Sequence, residues 1–223
     1  MKNLIIIAAL MLLGSSAFAQ TSKGTIVLSG DVSLSISEQE QKTPITSRKV
    51  QSSTIGYSFS PSVAYFIKDN LKIGAYIGYY RSKTDNDIYE VGVSEIYTNS
   101  VHDNYNFGAY ISKYIMLSDK FGLYATGSAG LFDSETNENS TASPDYHYIS
   151  KTDGFSISAV PGIVYFPTEK IGISASLGRL SYTSQKSMQK YYETNSTHNR
   201  NSSLDLDLSS STLLFGFSYH FNR

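Results

Sequence analysis

The chain alternates bulky apolar residues with small or polar ones in stretch after stretch, and a period of two belongs to strands. In residues 211–221, Leu213, Phe215, Phe217, Tyr219 and Phe221 share one parity, and Leu214, Gly216, Ser218 and His220 share the other. Side chains alternate across a strand, so one face is a greasy band and the other is mostly small or polar. Residues 25–37 sort the same way, with Ile26, Leu28, Val32, Leu34 and Ile36 against Ser29, Asp31, Ser33 and Ser35. The pattern recurs in residues 54–67, 71–79, 104–117, 121–131, 155–165 and 171–177. Together these stretches predict an all-β chain of eight strands.

The connections alternate in length. Tight turns fall at residues 68–70, 118–120 and 167–170, and Asp69, Asp119 and Glu169 recur every 50 residues. Such a repeat is one long-loop hairpin per tile, so about four tiles and eight strands are expected. Residues 38–53, 82–100, 133–153 and 183–203 are polar and read as long loops, all on the side opposite the turns. Short turns on one side and long loops on the other is the asymmetry of barrels that span an outer membrane. Tyr65, Phe66, Tyr114, Phe121, Tyr165, Phe166, Tyr219 and Phe221 lie near the turns or the chain end and read as an interfacial girdle.

Four irregularities interrupt the pattern. Lys113 sits on the apolar face near the turn end, either reaching for headgroups or marking a bulge. Pro61 and Pro161 fall inside strands and predict matching bulges, because a closed sheet has no edge to excuse a missing N–H. Leu204, Leu206 and Leu208 stand on the opposite parity to Phe215, which predicts a bulge or twist at residues 209–211.

The first 19 residues carry Lys2, an apolar run over residues 4–13 and the ending Ala17-Phe18-Ala19, the layout of a secretory leader cleaved before Gln20. That run is far shorter than the roughly 18 to 20 residues a helical anchor needs. The domain organisation expected is therefore a leader, residues 1–19, and one barrel domain, residues 20–223. The chain has no cysteine, which excludes disulfides, thiolate metal sites and a lipid-modified cysteine. Its net charge of -1 provides no basic field for nucleic acid. Mean hydropathy is -0.21, as expected where half of each strand faces a polar interior and the loops face water.

The orientation follows from lipid itself. An unpaired backbone group in hydrocarbon costs several kcal/mol, so only closed barrels persist there. Eight strands close around an interior just wide enough to fill with side chains. Here the inward set is dominated by Ser, Thr, Gly, Asn and Tyr, the reverse of a soluble carrier barrel. Asp31, Lys72, Tyr76, Tyr80, Asn106, Tyr110 and Tyr124 face inward by parity, and Asp31 with Lys72 is the expected ion pair. Of the four histidines, His220 is expected to hydrogen-bond inside the barrel near the turn end. His102, His147 and His198 are expected in solvated loops, and no two histidines have metal-ligand spacing.

The tile L-S-D-K-F-G-L-Y (residues 117–124), its partner F-P-T-E-K-I-G-I (166–173) and the ending F-G-F-S-Y-H-F (215–221) resemble outer-membrane β-barrel domain proteins. The resemblance is to the small OmpA/OmpX-like, porin-family type, in the style of Bacteroidetes, and covers the whole mature chain. It implies an eight-stranded antiparallel up-and-down transmembrane β-barrel in the bacterial outer membrane, inserted by the barrel-assembly machinery. Lipids and lipopolysaccharide would surround it as a monomer, and an extracellular surface ligand would meet its loops. Proteins of this type commonly end on a Phe, whereas Asn222 and Arg223 follow Phe221 here. The function expected is non-enzymatic, a structural, adhesive or surface-interaction role, with no catalytic residues, cofactor or metal. Two alternatives stand beside it. One is a lipid A deacylase or acyltransferase using His, Ser and an acidic residue at the outer rim, and the other is a conduit for small hydrophobic solutes through a lateral opening at Pro61 or Pro161.

Overall fold

The computed structural model describes residues 19–43, 48–89, 95–141, 147–191, 195–208 and 214–221. After one 3-10 turn, Ala19–Thr21, the elements among them are strands. They are β1 (Ile26–Thr43), β2 (Arg48–Lys68), β3 (Leu71–Tyr89), β4 (Ile96–Met116), β5 (Phe121–Ser140), β6 (His147–Tyr165), β7 (Ile171–Ser176), β8 (Arg179–Tyr191), β9 (Asn195–Asp207) and β10 (Leu214–Phe221). Each pairs antiparallel with its neighbours, and β1-β2-β3-β4-β5-β6-β7-β10 returns to β1 as a closed ring of eight. β8 continues the seventh stave above β7 by pairing with β6, and β9 runs beside β8. The eight-stranded up-and-down barrel is the fold.

Its faces sort as lipid demands. Ile73, Leu123, Ile173 and Phe217 are all exposed on the outer wall. On β4, β5 and β6 the outward apolar set runs over residues 105–115, 121–131 and 155–165, eleven residues each. A tilted strand needs about 9–11 residues to cross hydrocarbon. Lys113 is outward and exposed, in unbroken register with Leu71 and Ala125, so no bulge is present there.

The tight turns repeat atom for atom in two tiles. The Ser118 hydroxyl accepts from the Phe121 N–H at 3.1 Å, and the Thr168 hydroxyl accepts from the Ile171 N–H at 3.1 Å. The carbonyls of Asn70, Lys120 and Lys170 then accept from the N–H groups of Tyr114, Phe166 and His220. One bond per tile stitches each turn to the stave beyond it.

Several expectations need correction. Residues 38–53, 82–100, 133–153 and 183–203 are largely strand: β1 runs on to Thr43, β2 begins at Arg48, and β3 to β6, β8 and β9 extend likewise. Above the lipid both faces of a hairpin meet water, so the apolar alternation ends while the backbone ladder continues. Cross-strand side-chain bonds support it there, such as Thr54 to Thr84 at 2.9 Å and Asn86 to Thr98 at 3.1 Å.

The prolines differ from each other. At Pro61 the β2–β3 ladder lacks two pairs while its register on either side is unchanged, so no bulge forms. Pro161 faces a real irregularity, which lies on the neighbouring stave. β6 pairs Gly162↔Ser176 against β7 but Ala159↔Leu180 against β8, a slip of one residue. Gly178, at φ +81°, absorbs the slip in a left-handed conformation that glycine adopts without strain. The slip turns Leu180 and Tyr182 outward, on the parity opposite to Ile173. The bulge expected at residues 209–211 lies outside the described residues.

The turn end of the barrel is closed. Val27, Phe66, Val164 and Phe166 are buried on the inward face, with Ala64 and Tyr114 packed among them. The girdle expected from sequence therefore loses Phe66, Tyr114 and Phe166, which point inward, and keeps the exposed Tyr65, Phe121, Tyr165 and Phe221. Parity decides this: when Tyr65 faces lipid, Phe66 cannot. The N-terminal segment lies against the same end. Thr21 donates to Asn70 Oδ1 at 2.6 Å, the Lys23 N–H donates to Asp69 Oδ1 at 2.8 Å, and the Phe66 N–H donates to the Thr25 carbonyl.

Truncating a large aromatic in such packing costs about 3–5 kcal/mol. Phe166→Ala is expected to lower the unfolding free energy by that amount in a urea titration of the micelle-refolded protein. A loss under about 1 kcal/mol would mean that the floor is not packed.

Candidate functional site

Three regions of the barrel carry polar groups in positions that structure alone does not demand. They are the floor, the cavity above it and the hairpins above the lipid. At the floor, His220 is 1% exposed, between the rings of Phe66 and Phe166 at centroid distances of 6.2 and 5.2 Å. Its Nδ1–H donates to the Gln20 carbonyl at 2.8 Å, which leaves Nε2 to accept from the Ser218 hydroxyl at 3.1 Å. His220 is thus the interior hydrogen-bonding residue its parity indicated, and it latches the N-terminal segment to the last strand. The Ser218–His220 contact has the first two members of a hydrolytic arrangement, but a backbone carbonyl occupies the carboxylate's place.

Above the floor lies a cavity of about 390 Å³. Lys72 forms part of its base, with Nζ 5.7 Å and 5.3 Å from the ring centroids of Tyr110 and Tyr114. Asp31 borders the same cavity, yet it makes no ion pair with Lys72. The register explains why the expected pair does not form. Asp31 stands opposite Ser60 and Lys72 opposite Phe66, six residues apart along β2, roughly 20 Å of strand. Both residues face inward as parity predicts, but the stagger puts them at different depths. Tyr76, Asn106, Tyr110 and Tyr124 also line this cavity. A second chamber nearer the outer end has Tyr76, Phe132, Val160 and Arg179 in its wall. Arg179 lay unnoticed in sequence because the slip at Gly178 sets its parity.

The remaining histidines are on strands rather than in loops. His102 belongs to β4 and faces inward, its Nδ1 2.8 Å from the Thr136 hydroxyl and its ring 5.8 Å from that of Tyr80. His147 opens β6 opposite Asn139, and His198 is exposed on β9 opposite Met188. Among the described residues no cluster of His, Asp or Glu is arranged to hold a metal ion.

Exposed ion pairs line the hairpins above the lipid, and those of Glu40 with Lys49 and Glu135 with Lys151 cross between strands. Glu40 lies 2.7 Å from Lys42 and 3.1 Å from Lys49, Lys83 lies 3.0 Å from Asp85, and Lys151 lies 2.9 Å from Glu135. Hydrogen bonds from Lys42 and Lys49 hold the Glu40 carboxyl down at about 2. The Tyr97 hydroxyl, with Asn99 and Lys83, holds Asp85 below the usual range, and Asn137 with Lys151 does so for Glu135.

Residues 5–221 match the family described as outer membrane protein beta-barrel domain. No curated protein matches the chain. Among solved structures the chain is similar to the outer membrane protein OprG from Pseudomonas aeruginosa, at 13% identity and a TM-score of 0.52, covering 92% of this chain and 99% of that one. It is also similar to Neisserial surface protein A (NspA), at 16% identity and a TM-score of 0.45, covering 89% and 98%. At 13% identity the likeness to OprG is one of fold.

The depressed carboxylates set a pH dependence for the hairpins. Each binds its proton less readily folded than unfolded, so its support is complete above about pH 5 and is lost as pH falls through the folded value. Amide exchange, corrected for the intrinsic rate, is expected to lose protection at the β1–β2, β3–β4 and β5–β6 hairpins between about pH 4 and pH 2, while the barrel wall stays protected. Equal protection at both pH values would show that these pairs hold nothing.

Proposed function

This chain belongs to the family of outer membrane protein β-barrel domains, and from that premise we propose that it is a non-enzymatic surface barrel that presents its hairpins to the exterior. It resides in the outer membrane, among its lipids. The observation that carries the reading is the closed floor. Phe66, Phe166 and Val27 fill the periplasmic end, and the N-terminal segment bonds across it. A barrel stopped at one end is suited to presentation rather than flow. Its staves support this, since β2 and β4 are each 21 residues long, about twice what hydrocarbon requires. The excess is a ladder of paired polar strands held above the lipid, a stiffer platform for an adhesive or other surface contact than open loops provide.

In this reading the leader is removed after Ala19, the barrel-assembly machinery delivers the chain, and it works as a monomer among lipopolysaccharide. The lipid-modifying alternative has weak support, because the imidazole beside Ser218 sits at the floor rather than at the outer rim, occluded and oriented by a carbonyl.

Two measurements test the proposal. Planar-bilayer recording of the refolded protein is expected to give no reproducible, solute-selective conductance, and a steady selective current would overturn the stopped barrel. Mass spectrometry of lipid A from cells with and without the protein is expected to show one acyl pattern, and a protein-dependent change would establish an enzyme instead.

A further inference from the structure

Among the described residues the barrel wall parts along the seam between β1 and β10. β1 and β10 share five register pairs, from Ile26↔Phe221 up to Gly30↔Phe217. Above that level β10 continues through Gly216, Phe215 and Leu214, paired to β7, and β1 continues to Thr43, paired to β2. The same register would set Asp31 against Gly216 and Val32 against Phe215, yet neither pair forms. Higher up, among the described residues, β9 pairs with β8 alone.

The lips of the seam are apolar and bare. Val32 is 78% exposed and Phe215 is 70%, against 41% for Leu123 on a fully paired stave. Ser33, Ser35 and Ser37, on the inward parity of β1, are exposed as well, whereas Ser58 across from Ser33 and Thr54 across from Ser37 on β2 are half-buried. The cavity above the floor reaches this seam, since its lining runs from Lys72 and Tyr114 at the base to Gly30, Phe215 and Phe217 at the lips.

Lys72 gives the cavity its chemistry. It is 7% exposed, and among the described residues it has no carboxylate or hydrogen-bond acceptor, only the faces of Tyr110 and Tyr114. Among the described residues no buried side-chain nitrogen or oxygen lacks a partner, so this ammonium keeps its access through the cavity itself. A buried intramembrane cation whose free face meets a cavity is suited to an anion.

We propose that the cavity binds a single-chain amphiphile with a monoanionic head such as a carboxylate, the head on Lys72 and the apolar chain leaving through the β1–β10 seam into the membrane. The lips supply the apolar contact that the chain needs, and hydroxyls such as Ser62, Ser112 and Thr126 surround the head. A single ammonium at the base of the cavity matches a head with one negative charge. The cavity volume falls within the range of about 300–1,000 Å³ usual for small-molecule sites. The site is blind toward the periplasm, so it is a binding pocket entered from the side and is compatible with a barrel that conducts nothing.

The test uses the full-length mature protein in phosphatidylcholine nanodiscs, with carboxyl-labelled dodecanoate followed by carbon NMR. Saturable binding is expected for dodecanoate and none for its methyl ester. Lys72→Met is expected to weaken binding at least about tenfold, as the loss of one charge-assisted contact does. Heat-modifiable gel mobility shows whether that variant is folded. A dodecanoate analogue spin-labelled at its chain end is expected to relax the methyl signals of Val32 and to spare those of Val160 in the outer chamber. Equal binding by the folded Lys72→Met variant, binding of the ester, or relaxation at Val160 in place of Val32 would each overturn the proposal.

Discussion

The backbone hydrogen bond in a medium without water governs this structure. Each peptide group that crosses hydrocarbon must find its partner in protein, so the sheet must close on itself. The β1–β10 ladder performs that closure, joining the chain's first strand to its last through five register pairs. Everything else is arranged around the resulting ring. Apolar side chains take the outside because lipid is there, and hydroxyls, tyrosines and glycines take the inside because eight staves leave little room. The turn-to-stave bonds from Asn70, Lys120 and Lys170 fix the vertical offset of one tile against the next.

Closure also explains why the two ends differ. At the turn end the ladder is complete and the interior is packed with aromatic rings, latched by His220 to Gln20. At the loop end the staves outrun the membrane, and polar cross-strand pairs sustain them in water. Between the two, closure lapses along the β1–β10 seam, where among the described residues the upper edge of β1 has β2 as its one neighbour. An edge of that kind is costly in lipid, so its presence beside a lysine-based cavity is the most informative departure from the ring.

Much of this was legible in the alternation of residues. The inward and outward assignments of Ile73, Leu123, Ile173 and Phe217, the 50-residue tile and the count of eight follow from period and turn spacing alone. Phe66 and Phe166 were legible too, since each sits one residue beyond an outward tyrosine, yet proximity to the turn suggested a girdle where parity required a plug. The hairpin extensions were not legible, because a strand with water on both faces has no binary pattern to read. Likewise the pairing of Asp31 with Lys72 depends on stagger between staves, and the seam depends on a ladder that stops where both strands continue. Neither is written in the order of residues along one strand.

The central claim is that one face of each stave meets acyl chains while the other faces the barrel axis. The chain contains no tryptophan, so a single introduced indole reports without background. Fluorescence of Leu123→Trp and of Tyr124→Trp, each refolded into vesicles of lipid brominated along the acyl chain, measures the claim directly. Strong quenching at position 123 with little at 124 is the result predicted, and the reverse order, or equal quenching at both, would contradict it.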